Sequence, residues 1–69
     1  MSTVQNVDPE QLVEAAEAAK LLRIKPQTLA AWRSQSRGPE YLKVGRSVYY
    51  RRDSIGIFLA AKIVVPASV

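Results

Sequence analysis

Residues 14–35 read EAAEAAKLLRIKPQTLAAWRSQ, two helix-forming runs separated by the short connection Arg23-Ile24-Lys25. The first run predicts a helix over about residues 14–22. It is rich in strong helix formers, acidic early and basic late as the macrodipole favours, and it sets Ala15, Ala18, Ala19 and Leu22 along one face. Small residues on that face let another helix approach closely. Pro26 then stands where a second helix can begin, because proline at the first helical position loses no needed hydrogen bond. That helix is expected over about residues 26–35. Leu29 and Trp32, one turn apart, share its apolar face with Ile24 of the connection, while Gln27, Ala30, Ala31 and Ser34 point the other way.

Beyond the second helix, Ser36-Arg37-Gly38-Pro39 is the strongest breaker signal in the chain. A hairpin is expected next. Leu42, Val44, Val48 and Tyr50 alternate with Lys43, Ser47, Tyr49 and Arg51 around Gly45-Arg46, as in two strands with one buried face. Asp53 or Ser54 can cap a third helix, in which Ile55, Phe58, Leu59 and Ile63 recur at helical spacing before Pro66 closes it. The apolar run Ile63-Val64-Val65 either completes the core or makes a contact with another protein. Toward the other end, residues 1–11 are polar, include Asp8-Pro9 and lack periodicity, which predicts a flexible arm. The expected organisation is thus an arm over 1–11, one domain over 12–65 and a tail over 66–69. The fold class is mainly α with a small two-stranded antiparallel β wing.

Sixty-nine residues make one small domain, and nearly half of them are apolar, so the composition is globular and leaves little room for a second function. Cysteine and histidine are both absent. That excludes disulfide staples and thiolate metal sites and removes the commonest general base and metal ligand, so no enzyme, metal site or cofactor is expected. No apolar stretch is long enough to span a bilayer and no export signal is visible, so a cytoplasmic protein that does not engage a membrane is expected. Charge is unevenly distributed. Residues 1–19 carry Asp8, Glu10, Glu14 and Glu17 without Lys or Arg, and the remaining fifty hold all ten basic residues against Glu40 and Asp53, a net of +8. A basic body on so small a domain favours a polyanionic partner, although the same charge also serves a soluble surface.

Two short helices joined by a three-residue connection, the second presenting small polar side chains, meet the geometric needs of a helix that enters a DNA major groove. An ordinary helical hairpin shares that spacing. Ala30 and Ala31 permit close approach to the groove floor, Gln27 can pair with adenine, and Thr28 can meet a phosphate or a thymine methyl. Trp32 reads as core, given its register with Leu29 and Ile24, rather than as a base-stacking platform. Arg46 at the hairpin tip could reach a narrow minor groove or could be a solvated turn residue, and Tyr49 is equally open.

The segments EAAKLLRIKPQTLAAW (residues 17–32) and RGPEYLKVGRSVYYRRDSIGIFL (residues 37–59) carry a wider likeness. Over about residues 12–62 the chain resembles the excisionase-like branch of the MerR-related winged helix-turn-helix DNA-binding proteins. The likeness includes Glu17-Ala18-Ala19, Leu29 and Trp32, Gly38-Pro39, Lys43-Val44-Gly45-Arg46, Tyr50, and Phe58-Leu59. It implies a winged helix-turn-helix in which the second helix enters the major groove through Gln27, Thr28, Ala31 and Arg33. Arg46 of the wing would enter an adjacent minor groove, and Arg37, Lys43, Arg51 and Arg52 would contact phosphates. Three positions depart from the family pattern. Arg23 stands where the family usually has glycine at the helix exit, which demands a different backbone or strain. Lys25 replaces the usual Ser or Thr cap and cannot accept the orphan N–H bonds, though it can meet a phosphate. Asp53-Ser54-Ile55 replaces Ser-Asp-Leu with its cap chemistry intact.

The function implied is that of an excisionase, or recombination directionality factor, which binds and bends double-stranded DNA and biases an integrase toward excision of a phage or mobile element. Head-to-tail self-association along DNA is a further expectation. A prophage-type transcriptional regulator using the same surfaces is the alternative. A protein-interaction module, with a basic face and an apolar tail, is a third reading.

Overall fold

The computed structural model describes residues 7–67. The Asp8 carboxylate accepts the Glu10 N–H at 3.0 Å and opens a single 3-10 turn, Pro9–Gln11. Residues 8–11 therefore form a capped turn where an arm was expected; residues 1–6 of that span lie outside the described residues, as do 68 and 69 of the tail. A short strand, β1 (Leu12–Glu14), follows, then helices α1 (Ala15–Leu22) and α2 (Pro26–Ser34), strands β2 (Tyr41–Val44) and β3 (Ser47–Arg51), and helix α3 (Arg52–Ala60).

β1 is the element missing from the sequence reading, since three residues are too few to display a period of two. It pairs antiparallel with β3, Val13 opposite Tyr50, and makes the sheet three-stranded in the order β1-β3-β2. The expected two-stranded wing is the outer part of this sheet, and the helices remain three, consistent with a winged helix-turn-helix.

Hairpin register corrects a second expectation. Val44 pairs with Ser47 across Gly45-Arg46, Leu42 with Tyr49, and Tyr41 with Tyr50. A two-residue loop always pairs an even-numbered position with an odd one here, so the alternation cannot run in phase through the turn. Leu42 and Val44 lie on the face of Tyr49 and Ser47, opposite Val48 and Tyr50. The face that meets the core instead carries Val13, Tyr41, Val48 and Tyr50. Gly45 has φ +62°, positive at the first central position alone, the pattern of a type II′ turn.

The core comprises Val13, Ala18, Ala19, Leu22, Leu29, Tyr50 and Ile55, with Ile24, Trp32, Val48 and Phe58 packed against it. Ala18 and Ala19 are completely covered because α1 lies between α2, α3 and the sheet, and only side chains this small let three neighbours close in. Each of the first two helices ends in a left-handed residue. At α1 this is Arg23 (φ 60°, ψ 42°), with the Arg23 N–H donating to Lys20 O at 3.1 Å and the Ile24 N–H to Ala19 O at 3.0 Å. That is the Schellman pattern, which turns Ile24 inward onto the core. Ser36 (φ 57°) repeats it at α2, where the Arg37 N–H donates to Trp32 O at 2.7 Å.

α3 departs from expectation at both ends. β3 runs straight into it, so the capping position falls on Arg51, which makes no side-chain cap bond, and neither Asp53 nor Ser54 caps the helix. Ser54 is buried within the first turn. At the far end the helix stops at Ala60, once Ile55 and Phe58 have reached the core. Ile63, Val64 and Val65 are 71–83 % exposed and do not complete the core.

Candidate nucleic-acid interface

α1, the Arg23-Ile24-Lys25 turn and α2 form two helices held together by Leu22, Ile24 and Leu29. Burial of Leu29 fixes the rotation of α2, which leaves Gln27, Ala30, Ala31 and Ser34 exposed together and Thr28 half-buried at the edge of that face. The Ser34 hydroxyl turns back to the carbonyls of Ala30 and Ala31, at 3.5 and 3.4 Å, leaving Gln27 as the longest free polar group on the face. Lys25 precedes the first turn exposed and without a side-chain cap bond, as its chemistry requires.

The hairpin supplies a second prominence. Arg46 is exposed at its tip, and Lys43, opposite Val48, is exposed on the strand leading to it. Arg52 is exposed at the start of α3. Arg37 is exposed beside the exit of α2, its guanidinium 5.9 Å above the Trp32 ring and Nη1 donating to Gln35 Oε1 at 3.2 Å. Trp32 itself packs against the core, its ring 5.6 Å from that of Phe58.

Two of the predicted contact residues are placed otherwise than expected. Arg33 does not share the exposed face with Gln27 and Ala31. One residue past Trp32 on the inner side of α2, it is half-buried and donates from Nη1 to Tyr50 Oη at 3.0 Å, with its guanidinium 5.9 Å over the Tyr41 ring. Arg51 is engaged by Asp53 in a two-pronged pair, Nε to Oδ1 at 3.1 Å and Nη2 to Oδ2 at 2.8 Å, the one salt bridge among the described residues. The hydrogen bond from Arg51 holds the Asp53 carboxyl below the usual carboxylate range, and the same bond raises the Arg51 pKa. Sequence reasoning offers Asp53 or Ser54 as a cap and assigns Arg51 to phosphate; the Arg-x-Asp spacing across a strand-to-helix junction is the signal that pairs Arg51 with Asp53. It also passes over Tyr41 and the Tyr50 hydroxyl, whose role depends on a helix residue seventeen positions away.

The remaining basic side chains, Lys20, Arg23, Lys25, Arg37, Lys43, Arg46, Arg52 and Lys62, are exposed, and among the described residues none forms an ion pair. Exposed cations without an ion-pair partner, on one small domain with an exposed helix face of small and polar groups, suit a polyanion with a groove. A family model described as a helix-turn-helix domain matches residues 12–62, from the start of β1 to just past α3. The chain belongs to the helix-turn-helix domain family. In this helix-turn-helix domain, α1 and α2 are the paired helices, the Arg23 turn joins them, and the β2–β3 hairpin is the wing. The protein is a small DNA-binding protein of a typically non-enzymatic family. No curated protein matches the chain. Among the described residues, no helix of the helix-turn-helix domain is long and apolar enough to cross a membrane.

Proposed function

We propose that the protein is a sequence-specific DNA-bending protein that acts as an excisionase, assisting a separate integrase in the excision of a phage or mobile element. The observation that supports this reading is the pairing of a groove-sized helix face, Gln27 with Ala30 and Ala31, and an exposed arginine-tipped hairpin on one small basic domain. α2 would enter a major groove, with Gln27 reading a base edge and Thr28 and Ala31 lying against the groove wall and floor. Arg46 would enter the neighbouring minor groove, where a cation is most strongly attracted when the groove is narrow, and Lys25, Arg37, Lys43 and Arg52 would hold phosphates. A helix and a wing that engage adjacent grooves favour bent over straight duplex, because the bend permits more contacts. Such a protein contributes architecture, and the integrase contributes the strand chemistry. Head-to-tail association of copies on adjacent sites is part of the reading, and the exposed Ile57, Ile63, Val64 and Val65 leave apolar surface for it.

The test begins with selection of the preferred site from a random duplex library. Circular-permutation mobility on that site should reveal a bend that Arg46→Ala reduces. Addition of the protein to an integrase encoded beside it should then stimulate excision. Straight bound DNA and unchanged excision would overturn the reading and leave a regulator that acts at promoters.

A further inference from the structure

Among the described residues, only one side-chain hydrogen bond joins positions more than four apart, and it runs from α2 to the wing. Arg33 Nη1 donates to Tyr50 Oη at 3.0 Å, while every other such bond spans two to four positions. The acceptor is fixed. Tyr50 is fully buried, so its ring cannot swing, and the hydroxyl at the end of the ring is delivered to one place beside α2. The same guanidinium lies 5.9 Å over the ring of Tyr41, which is directly opposite Tyr50 in the β2–β3 register, with their ring centroids 5.9 Å apart. One side chain of α2 thus engages both strands of the hairpin, β3 by a hydrogen bond and β2 through a ring face. Arginine suits both, because its planar fork donates in-plane while its charge is attracted to a ring face.

The rest of the packing explains why this tie matters. The sheet packs mainly on α1 and α3, whereas α2 packs mainly on α1. Apart from Arg33, no side-chain hydrogen bond among the described residues ties α2 to the hairpin, and their angle rests on undirected apolar packing, Leu29 in the core it shares with Tyr50 and Trp32 against Phe58.

We infer that Arg33 is a positioning residue: its tie to Tyr50 and Tyr41 fixes the angle between the recognition helix and the wing, so that Gln27 and Arg46 engage their grooves together. The inference rests on the groove assignments proposed above. Two contacts held in one rigid frame reinforce each other, since the first places the second at high effective concentration. Loosening the frame leaves both contacts chemically intact and removes the reinforcement.

Tyr50→Phe tests this directly, because it keeps the buried ring and the charge of Arg33 and deletes only the acceptor. Arg33→Lys, which keeps the charge and loses the fork, is the second variant should Tyr50→Phe disturb the fold. In the free protein, residual dipolar couplings of amides 44–47 relative to those of α2 should shrink in either variant as the hairpin samples more angles. On DNA, the affinity lost by Arg46→Ala should be at least about threefold smaller in the Tyr50→Phe background than in the wild type, the signature of coupled sites. The loss from Lys25→Ala, on the helix side, should be the same in both backgrounds. Unchanged hairpin couplings, or an undiminished Arg46→Ala penalty, would overturn the inference and leave Arg33–Tyr50 as fold support alone. If Arg46→Ala costs nothing in the wild type, the wing assignment falls instead, and the free-protein couplings still decide whether Arg33 sets the hairpin angle.

Discussion

A Cβ at Gly38 would stand 3.0 Å from Cε3 of Trp32, and Gly38 has φ +88°. The backbone after α2 therefore passes the indole at a distance and in a conformation that only glycine tolerates. Gly38→Ala combines backbone strain with a clash against a ring wedged beside Phe58, and we expect a loss of about 1–3 kcal/mol. Trp32→Ala removes the ring itself and should cost about 3 kcal/mol or more, comparable with the whole stability of so small a domain. Thermal denaturation followed by circular dichroism measures both. A Trp32→Ala protein that keeps its melting temperature but loses DNA binding would show that the ring stacks on a base.

Arg23 holds a left-handed backbone at the joint between the two helices, a conformation that costs a residue with a Cβ about 1–2 kcal/mol. Arg23→Gly should relieve most of that strain and raise the melting temperature of the free protein by about 4–8 °C per kcal/mol recovered. An unchanged or lower melting temperature would mean that the greater conformational entropy of glycine in the unfolded chain outweighs the strain relieved.

The phosphate contacts proposed for Lys25, Arg37, Lys43 and Arg52 predict that log affinity falls with log salt at a slope near −3 to −4. Asp53→Asn releases the Arg51 guanidinium from its intramolecular partner, and the slope should then steepen by about 0.9 as a fifth phosphate is met. Titrations of wild type and variant across a salt series decide the matter. Identical slopes would show that Arg51 does not reach DNA even when freed.

Gln27→Ala should relax preference at a single base pair by about 1–3 kcal/mol and leave non-specific affinity nearly unchanged, because a base-edge contact carries sequence information and little of the electrostatic binding. Competition against a panel of substituted sites is the measurement. A uniform loss across all sites would reassign Gln27 to the backbone.

The Arg51–Asp53 pair also has a defined pH signature. Asp53 titrates lower in the folded chain than in the unfolded chain because Arg51 donates to it, so the pair's contribution is present above the ordinary carboxylate range and is lost as pH falls through the folded-state pKa. The melting temperatures of wild type and Asp53→Asn should differ slightly at about pH 7 and converge only as pH falls below the ordinary carboxylate range, through the lowered folded-state pKa. A difference that persists in acid would assign the effect to packing around Asp53.

Much of this architecture is written in short stretches of chain. The apolar spacing of Ala18, Ala19 and Leu22 and of Leu29 and Trp32, Pro26 at a helix start, and Gly38-Pro39 after a helix end each act within a few residues. They are enough to place both helices, their connection, the hairpin turn at Gly45-Arg46, and the exposure of Gln27, Ala30 and Ala31. Arg23 is recognisable as a misfit at the helix exit, and its left-handed backbone shows the demand that position makes. What the chain's local chemistry left undecided depended on distant partners. β1 is too short to exist without β3, which pairs with it from far along the chain, Val13 opposite Tyr50. The face of Leu42 and Val44 was settled by the two-residue loop and by which side of β3 met α1 and α3. Arg33 and Arg51 look like any other surface arginines, because a long cationic side chain reaches solvent, phosphate or a buried hydroxyl equally well from the same backbone. For Arg51 the deciding partner, Asp53, stands only two positions on, at a spacing the chain itself displays, whereas for Arg33 only the assembled fold, which brings Tyr50 beside α2, chose between those ends.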